Sequence, residues 1–474
     1  MLKNVNSKII FAIAAICLLL LCVVQNVANL ITISEFLSQK EQSFNDYNTL
    51  NGVSFERFLI IGAYIVINII YVIWLFTKQQ SYPKFSSLLK YAAIFLIISF
   101  ITYPYSTDIY LYLHYGAMAL SGVNPYLNSA NSFTSNLSPF IVWTQTSTYG
   151  PISLLLFILS ASVIPASLIL GVYIFKLFCL IFHIINTYLI WRLLKKNKYR
   201  SKVVAAYLLN PLLLNEQVIS AHVDVFVATS LIILIGCLYY KRFVAAILAI
   251  WAGFLAKTLP IIWLPLVVSF LVRRHRWKDL AIAASCLLVI VIILNQTVFP
   301  TPSAWRSLLN PGVSDMTARS LHHLLNLYLY FFSDLTSEAK QSVLSVYKSL
   351  TYLSFVIYYF WFLLKPYFKR NYSNIDLVSD LGWVTLILFL FATPWLMSWY
   401  PSLLLPFAAL SVNSPVLALT SLTFSICAGL IVGTGGRQSL ISIITSLVTL
   451  ALPMIILLFR GKLLRKLSQM NPQA

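Results

Sequence analysis

The chain has 474 residues, of which 59% are hydrophobic and 10% are charged, and its formal net charge is +20. A soluble protein usually carries about 25% charged residues, so this chain cannot cover itself with polar groups in water. Lipid must therefore surround most of it, which excludes an ordinary soluble domain. The Lys and Arg residues cluster between apolar runs, as the positive-inside rule expects, so the charge does not indicate nucleic-acid binding.

The apolar runs predict membrane-spanning helices. They are continuous rather than alternating, and a run of about 17 to 25 apolar residues can cross a bilayer as an α-helix. The sequence therefore predicts an all-α integral membrane protein with a single polytopic domain over residues 1–474. Spans are predicted near residues 9–33, 56–77, 86–103, 166–193, 203–220, 224–240, 279–298, 346–365, 377–393, 395–411, 415–434 and 439–459.

Two further apolar stretches need a different interpretation. Residues 243–272 lie between basic clusters and are broken at Lys257 and Pro260, which predicts a hairpin of two short helices. Residues 151–165 are predicted to form a re-entrant or interfacial helix. A full span would place Lys195–Lys198 on the outer side, against the positive-inside rule. The full span stays open as the alternative. The first apolar run is too long for a signal-peptide core, so we expect a retained anchor. The bundle then holds about 12 to 14 helices.

The charges also predict an orientation. With both termini in the cytoplasm, the inner loops hold most of the 33 Lys and Arg residues, whereas the acidic residues lie mainly outside. The expected location is a bacterial-type inner or cell membrane, with the active site on the outer side. Two long segments, residues 104–150 and 299–345, fall outside, and loops of this length are usually functional or disordered.

Asp108 opens the first long loop, in the stretch YSTDIYLYLHYGAMALSGVNPYL. A carboxylate at this position has the chemistry of a general base, a metal ligand or a hydrogen-bond acceptor for a substrate. The structural alternatives are a solvated loop residue and a helix cap, because Thr-Asp often begins a helix. Residue chemistry alone leaves these alternatives evenly balanced.

A second group of ionisable residues lies in NPLLLNEQVISAHVDVF, at the outer end of one predicted span and the start of the next. His222 and Asp224 would not share a helix face, but together with Glu216 they can converge at a turn between helices. The roles open to these three residues are metal ligation, sugar orientation and acid–base catalysis, and the structural alternative is a polar turn at the membrane interface. Lys257, in WAGFLAKTLP, needs a phosphate or carboxylate partner, unless it reaches the membrane surface.

The remaining candidates lie nearer the C-terminus. In MTARSLHHLL, the spacing would place Arg319 on one helix face with His322 or His323, which suits phosphate, although a solvated surface helix fits equally well. Arg437 in GTGGRQS is a candidate for phosphate or sugar binding, but the pattern is not a P-loop and does not indicate ATP. The six cysteines lie in apolar segments without CxxC, which predicts neither disulfides nor zinc.

Four motifs follow one another along residues 100–412. They are the Asp108 stretch leading to Gly122-x-Asn124-Pro125-Tyr126, the segment WTQTSTYGP, the stretch NPLLLNE…AHVD followed by LAKTLPIIWLP, and the element TPWLMSWYPSLLLP. Together and in this order they resemble the C-type (GT-C) polytopic glycosyltransferases, and most closely the bacterial polyprenol-phosphate-mannose-dependent α-mannosyltransferases. The family's His-Asn-Asp is His222-Val223-Asp224 here, which leaves a metal or hydrogen-bond role open.

The resemblance implies a GT-C-like bundle with interfacial helices in its long outer loops. It implies a hexosyltransferase that moves a sugar such as mannose, with inversion, from a polyprenyl-phosphate donor to a glycan or lipid-linked acceptor. No cofactor is firmly implied, and a divalent metal is left open. The implied roles are general base for Asp108; donor phosphate binding for Lys257, Arg319, His322 and Arg437; and sugar or acceptor binding for Trp143, Tyr149, Glu216, His222, Asp224, Trp395 and Tyr400.

Three other classes of function stay open. A lipid-linked sugar flippase or transporter would show inverted repeats and matched broken helices, whereas the sequence shows one broken hairpin without a matched partner. A polysaccharide polymerase or ligase also uses lipid-linked sugars outside the membrane, and the Asp108 stretch and the YGP segment argue against it through the resemblance alone. A structural partner in a cell-envelope complex is the third.

Overall fold

A computed structural model of the chain describes residues 7–38, 55–76, 82, 84–104, 106–141, 143–309, 316–411, 414–429 and 440–470. Within these residues the secondary structure is helical, with two isolated bridges and no strand. The predicted all-α membrane protein is confirmed. Five described helices are long and apolar enough to cross a membrane: Ile9–Val27, Leu168–Leu193, Trp277–Thr297, Ser337–Phe368 and Asn374–Ala392.

The described residues form twenty α-helices in chain order. The first ten are α1 (Ser7–Ser38), α2 (Phe55–Phe76), α3 (Phe85–Ile101), α4 (Asp108–Leu120), α5 (Pro151–Ala161), α6 (Leu168–Leu193), α7 (Arg200–Leu208), α8 (Pro211–Leu213), α9 (Asp224–Tyr239) and α10 (Phe243–Phe254). The rest are α11 (Trp263–Arg273), α12 (Trp277–Thr297), α13 (Pro302–Leu309), α14 (Leu321–Phe332), α15 (Ser337–Phe368), α16 (Asn374–Ile387), α17 (Leu405–Leu410), α18 (Pro415–Gly429), α19 (Leu440–Leu458) and α20 (Arg460–Met470).

The chain divides into two compact units. Unit 1 comprises Met1–Leu234, Val244–Ile262 and Lys278–Ser314. Unit 2 comprises Ile235–Phe243, Trp263–Trp277 and Asp315–Ala474. In unit 1, α1 packs against α2 and α3, and α4 packs along α5. In unit 2, α11 packs against α15 and α16, and α18 packs against α17 and α19.

Two of the predicted spans are not single helices, because the structure divides each of them into shorter helical segments. The stretch 203–220 is divided, because Pro211 lacks an N–H for the preceding helix and Asn210 caps a new start by accepting from Leu212 N at 3.0 Å. A π-helix, Leu214–Ile219, follows α8. The stretch 395–411 holds the short 3₁₀ turn Tyr400–Leu404 and then α17, again at a proline-containing sequence.

The predicted division of residues 243–272 into two short helices is confirmed, because α10 and α11 are separate and Lys257 lies in the break between them. That these two helices form a hairpin stays a prediction. The helix in 151–165 is α5, which has 11 residues. That is about half of the roughly 20 residues that a helix needs to cross a bilayer, so its length favours the re-entrant or interfacial helix over the full span. The long segment 104–150 contains α4, and the long segment 299–345 contains α13 and α14.

Close packing in unit 1 brings α4 against α5. A Cβ at Gly116 would overlap the backbone carbonyl of Phe157, so the small residue permits the approach of the two helices. One turn away, the Tyr112 ring stacks on the Phe157 ring with centroids 5.0 Å apart. The Phe175 ring of α6 contacts the same pair. This buried aromatic layer supports the first turn of α4, where Asp108 lies.

A buried lysine ties three segments of unit 1 together. Lys176, in α6, donates hydrogen bonds to the carbonyl oxygens of Thr102, of Ser99 at 3.3 Å and of Ile219 at 2.9 Å. Ser99 lies in the last turn of α3, Thr102 is the C-cap of that helix, and Ile219 ends the π-helix. Helix C-termini carry partial negative charge and unsatisfied carbonyls, so an ammonium suits this position. Lys176 thereby holds the end of α3, which precedes Asp108, and the end of the π-helix, which precedes His222.

Candidate active site

The π-helix and the turn after it build the centre of the site in unit 1. The π-helix contains Glu216, and α9 begins at Asp224. Between them Ala221 adopts a φ of 56°, a left-handed conformation that costs an alanine roughly 1 kcal/mol or more. π-helices and strained residues occur often at functional sites. Here they turn the chain sharply, so that Glu216 and His222 meet.

His222 lies between two carboxylates. Its Nδ1 is 3.0 Å from Oε2 of Glu216, and its Nε2 is 3.7 Å from Oδ2 of Asp108. The backbone oxygen of Glu216 lies 3.2 Å from the same Nδ1. Because Nδ1 faces two oxygen acceptors, it carries a proton. The imidazole therefore joins Asp108, at the start of α4, to Glu216 in the π-helix.

Asp224 and Lys257 form a second ion pair in the same cluster. Nζ of Lys257 donates to Oδ2 of Asp224 at 2.8 Å, and within the described residues Oδ1 of Asp224 has no hydrogen-bond partner. The break after α10 holds Lys257 in place, because it docks on the start of α5. Ile152 N donates to Leu255 O at 3.0 Å, and a Cβ at Gly150 would overlap that same carbonyl.

Aromatic side chains line the cluster. The Trp143 side chain hydrogen-bonds to Asp108, for which its indole N–H is the donor. Tyr149 forms an isolated backbone bridge with Lys257, and its ring lies 4.9 Å from the ring of Tyr112. Burial raises the pKa of Tyr149, and the charge of Asp108 raises it further, so this phenol stays a neutral hydrogen-bonding group.

The pKa values of Asp108 and His222 are both raised above their ordinary values. Burial raises the pKa of Asp108 above its ordinary value, although the charges of His222 and Lys257 and the Trp143 hydrogen bond oppose the rise. For His222, burial lowers the pKa, but the Glu216 hydrogen bond and the nearby carboxylates outweigh burial, so its pKa is raised. A carboxylate that holds a proton more readily is a stronger base, and a histidine beside it stays cationic to higher pH.

Two side chains of the cluster are accessible to solvent, and three are buried. The side chains of Asp108 and Lys257 are 16% and 21% exposed, whereas those of Glu216, His222 and Asp224 are 1–2% exposed. A ligand can therefore reach one carboxylate and one ammonium. The other three side chains stand behind them as hydrogen-bonding and ion-pair partners. Within the described part of the chain, no group of three or more His, Cys, Asp or Glu side chains is arranged to hold a metal ion.

Other predicted site residues lie in unit 2. The prediction that Arg319 and His322 share a helix face is wrong, because Ser320 caps α14 by accepting from His323 N, and Arg319 precedes the cap with a φ of 51°. His322 Nε2 lies 2.8 Å from Thr351 Oγ1. Burial lowers the pKa of His322, and the charge of Lys348 lowers it further.

The two C-terminal aromatic residues contact different segments of unit 2. Ala318 forms a bridge with Trp395, in which Leu396 N donates to Ala318 O at 2.8 Å. The Tyr400 ring stacks on Phe389 with centroids 5.4 Å apart. Trp395 is buried. Arg437 lies outside the residues that the structure describes.

Sequence reasoning did not assign a role to Tyr112 or Lys176. Tyr112 lies four residues after Asp108 on the same helix, so its side chain falls on the same face, and that spacing was available as a signal. Lys176 lies inside a long apolar span, and an ionisable residue there is by itself a reason to look for a role. Its three carbonyl acceptors are far away in sequence, so the role itself was not predictable.

These features define a polytopic membrane protein with an accessible carboxylate and ammonium in one cluster. A family model described as alpha-(1->6)-mannopyranosyltransferase, N-terminal domain, matches residues 13–273, which is more than half of the chain. The chain therefore belongs to this family of GT-C mannosyltransferases, and it is a glycosyltransferase. The match covers Asp108, Glu216, His222, Asp224 and Lys257. No curated protein and no solved structure matches the chain.

Proposed function

We propose that the protein transfers a hexose, mannose by family, from a polyprenyl-phosphate donor to a glycan or lipid-linked acceptor. The observation that carries the proposal is that one cluster in unit 1 contains an accessible carboxylate, Asp108, and an accessible ammonium, Lys257, each beside a buried partner. Transfer from a phosphate donor needs a base for the attacking hydroxyl and a cation for the departing phosphate. Asp108 and Lys257 have these two chemistries.

The proposed reaction is a single displacement. The acceptor oxygen attacks the anomeric carbon and forms the new glycosidic bond, while its proton passes to Asp108. The bond between the anomeric carbon and the phosphate oxygen breaks, and its electron pair leaves with the polyprenyl phosphate. The configuration at the anomeric carbon inverts, so an α-linked product requires a β-linked phosphate donor. No covalent sugar–enzyme intermediate is formed.

Glu216 and His222 are proposed to act on Asp108 rather than on the sugar. Both are buried, and His222 reaches Asp108 with Nε2 while Glu216 holds Nδ1. A cationic imidazole at 3.7 Å stabilises the ionised carboxylate, so Asp108 remains available as a base although burial raises its pKa. This positioning role fits their burial better than the direct sugar contact that the sequence suggested.

Lys257 is proposed to hold the donor phosphate, with Asp224 fixing its ammonium. The Lys257 side chain is 21% exposed, so phosphate oxygens can reach the ammonium beside Asp224. Cationic stabilisation of a leaving group in a water-poor site can contribute several kcal/mol. Arg319, His322 and Arg437 remain proposed as further phosphate-binding residues.

The aromatic residues are proposed to bind sugar or acceptor. Trp143 and Tyr149 flank the carboxylate and the ammonium in unit 1, which suits stacking on a sugar ring. Trp395 and Tyr400 in unit 2 keep the same proposed role. The charge distribution supports an outer-face reaction with both termini in the cytoplasm.

The experiment is a donor panel with the purified full chain in liposomes. The donors are synthetic β-mannosyl polyprenyl phosphate, the corresponding polyprenyl diphosphate and GDP-mannose, and the acceptor is an α-mannoside. We expect an α-mannosyl product from the polyprenyl phosphate alone. Product from the diphosphate alone would indicate the polymerase or ligase class instead. Movement of the lipid-linked sugar across the bilayer without a glycosidic product would identify a flippase, and an unchanged anomeric configuration would exclude the single displacement.

A further inference from the structure

A basic cavity lies in unit 2, where α11 ends and the chain turns from α15 into α16. Its volume is about 470 Å³, and its lining includes Arg273 and Arg274 from the end of α11 and Lys369 and Arg370 from the turn. Phe270 and Pro366 form its apolar part. It contains none of the residues assigned to sugar transfer. We call it the basic pocket.

The charges of the basic pocket are largely uncompensated. Lys369 pairs with Asp376 at 2.8 Å. Arg274 donates to the backbone oxygen of Tyr372 at 2.8 Å and lies over the Phe270 ring, contacts that orient its guanidinium without neutralising it. Among the described residues, neither Arg273, Arg274 nor Arg370 forms an ion pair with a carboxylate. Three guanidinium groups therefore face one cavity, which favours an anion.

Hydrogen bonds and ion pairs hold the turn that carries half of this charge. Tyr372 is buried and donates to Oδ2 of Asp380 at 2.8 Å, and Lys365 pairs with Oδ1 of the same carboxylate at 2.6 Å. Ser373 and Asp376 form a capping box at the start of α16. A preformed cationic cavity loses little conformational entropy when it binds a ligand. These contacts therefore support a binding site rather than a loose charged surface.

An exposed aromatic surface continues from the pocket along α15. The rings of Trp361 and Phe368 stack with centroids 6.2 Å apart and are 57% and 70% exposed. Phe368 immediately precedes Lys369. Tryptophan and other aromatic side chains prefer the boundary between headgroups and acyl chains, and basic pockets between membrane helices on the cytoplasmic side bind anionic headgroups. The charge distribution of the sequence places this end of unit 2 on the cytoplasmic side.

We propose that the basic pocket binds the phosphodiester headgroup of an anionic phospholipid, with the acyl chains against the Trp361–Phe368 surface. Guanidinium groups bind phosphate oxygens in a bidentate manner, so Arg273 and Arg370 are the principal contacts and Arg274 completes the cradle. The apolar surface beside the cations favours a lipid over a soluble phosphate. The proposal is independent of the sugar-transfer reaction.

The test measures lipid binding to the purified full chain by native mass spectrometry and by titration with fluorescent lipid. The probes are phosphatidylglycerol, phosphatidylcholine and inorganic phosphate. The variants are R273Q/R370Q and, as a matched control with two exposed basic residues at the end of α6, K195Q/K196Q. We expect the wild type to bind phosphatidylglycerol at least about tenfold more tightly than phosphatidylcholine, and R273Q/R370Q to lose this preference. The control should keep it.

Several outcomes would overturn the proposal. One is equal binding of the two lipids by the wild type, and another is an equal loss in K195Q/K196Q, which would indicate a general charge effect. If millimolar inorganic phosphate displaced phosphatidylglycerol completely, the pocket would take a soluble phosphate and not a lipid. R370Q alone, at an exposed position in the turn, provides a second variant that should fold normally and lose part of the preference.

Discussion

The polar cluster of unit 1, which consists of Asp108, Glu216, His222, Asp224 and Lys257, and the basic pocket of unit 2 both gather ionisable residues. They arrange charge in opposite ways. In the polar cluster, carboxylates and cations alternate, and Glu216, His222 and Asp224 are almost fully buried. In the basic pocket, guanidinium groups of one sign surround an open cavity. Buried charges of alternating sign shift one another's pKa. Positive charges around a cavity favour the binding of an anion. The first arrangement suits chemistry, and the second suits binding.

The sharpest way to break the polar cluster is to remove the cation of its ion pair. In Lys257→Met, the carboxylate of Asp224 remains buried without its partner, so we expect a loss of about 3 kcal/mol in the free energy of unfolding, together with loss of transfer. Denaturant unfolding in detergent measures the stability. The exposed control Lys196→Met should change stability by less than about 0.5 kcal/mol.

A second variant separates stability from phosphate binding. Lys257→Met/Asp224→Asn removes both charges, so most of the lost stability should return, while transfer should remain low because no cation is left to hold the donor phosphate. Recovery of transfer in this double variant would show that Lys257 is a structural ion-pair partner and does not bind the donor.

A smaller effect is expected from the buried lysine behind the polar cluster. Lys176→Met leaves the carbonyls of Ser99, Thr102 and Ile219 without their donor, which should reduce the free energy of unfolding by about 1–3 kcal/mol. Thermal unfolding measures this, with the exposed Lys278→Met as the control. Unchanged or higher stability would mean that these carbonyls do not depend on the ammonium.

The smallest expected effect is a shift in pH dependence. The charge of His222 lowers the pKa of Asp108, so His222→Gln should raise that pKa and move the acid limb of the transfer rate to higher pH. Transfer at neutral pH should fall by about tenfold or less, since Asp108 itself remains. The exposed His275→Gln serves as the control. An acid limb that stays in place, or moves to lower pH, would contradict the electrostatic role of His222.

Much of the polar cluster was predictable from the sequence, since ionisable residues in an apolar chain stand out. Asp108, Glu216, His222 and Lys257 were all chosen on that ground, and the family's motifs joined them. Their pairing was not predictable, because it depends on the π-helix and on the left-handed Ala221, and neither has a sequence signal. A one-residue change in helical register would separate His222 from Glu216.

The fold, like the polar cluster, was predictable where local composition determines it and not where caps or packing do. Apolar length predicted an all-α membrane protein, and Lys257 and Pro260 between basic clusters predicted the break between α10 and α11, because both features follow from local composition. Helix ends near Asn210 and Ser320 were placed wrongly, since the caps at these residues outweigh the apolar or periodic pattern around them. The basic pocket was invisible in the sequence, where its arginines matched an ordinary cytoplasmic cluster. Its cavity arises from the packing of α11 against α15 and α16.

The most direct test of the central claim is the single-turnover rate of Asp108→Asn with β-mannosyl polyprenyl phosphate. The amide keeps the shape of the side chain but cannot accept the proton of the attacking hydroxyl, so we expect the rate to fall by at least about 10²-fold while donor binding persists. The exposed Asp334→Asn should transfer at the wild-type rate. A wild-type rate in purified Asp108→Asn would contradict the assignment of Asp108 as the base.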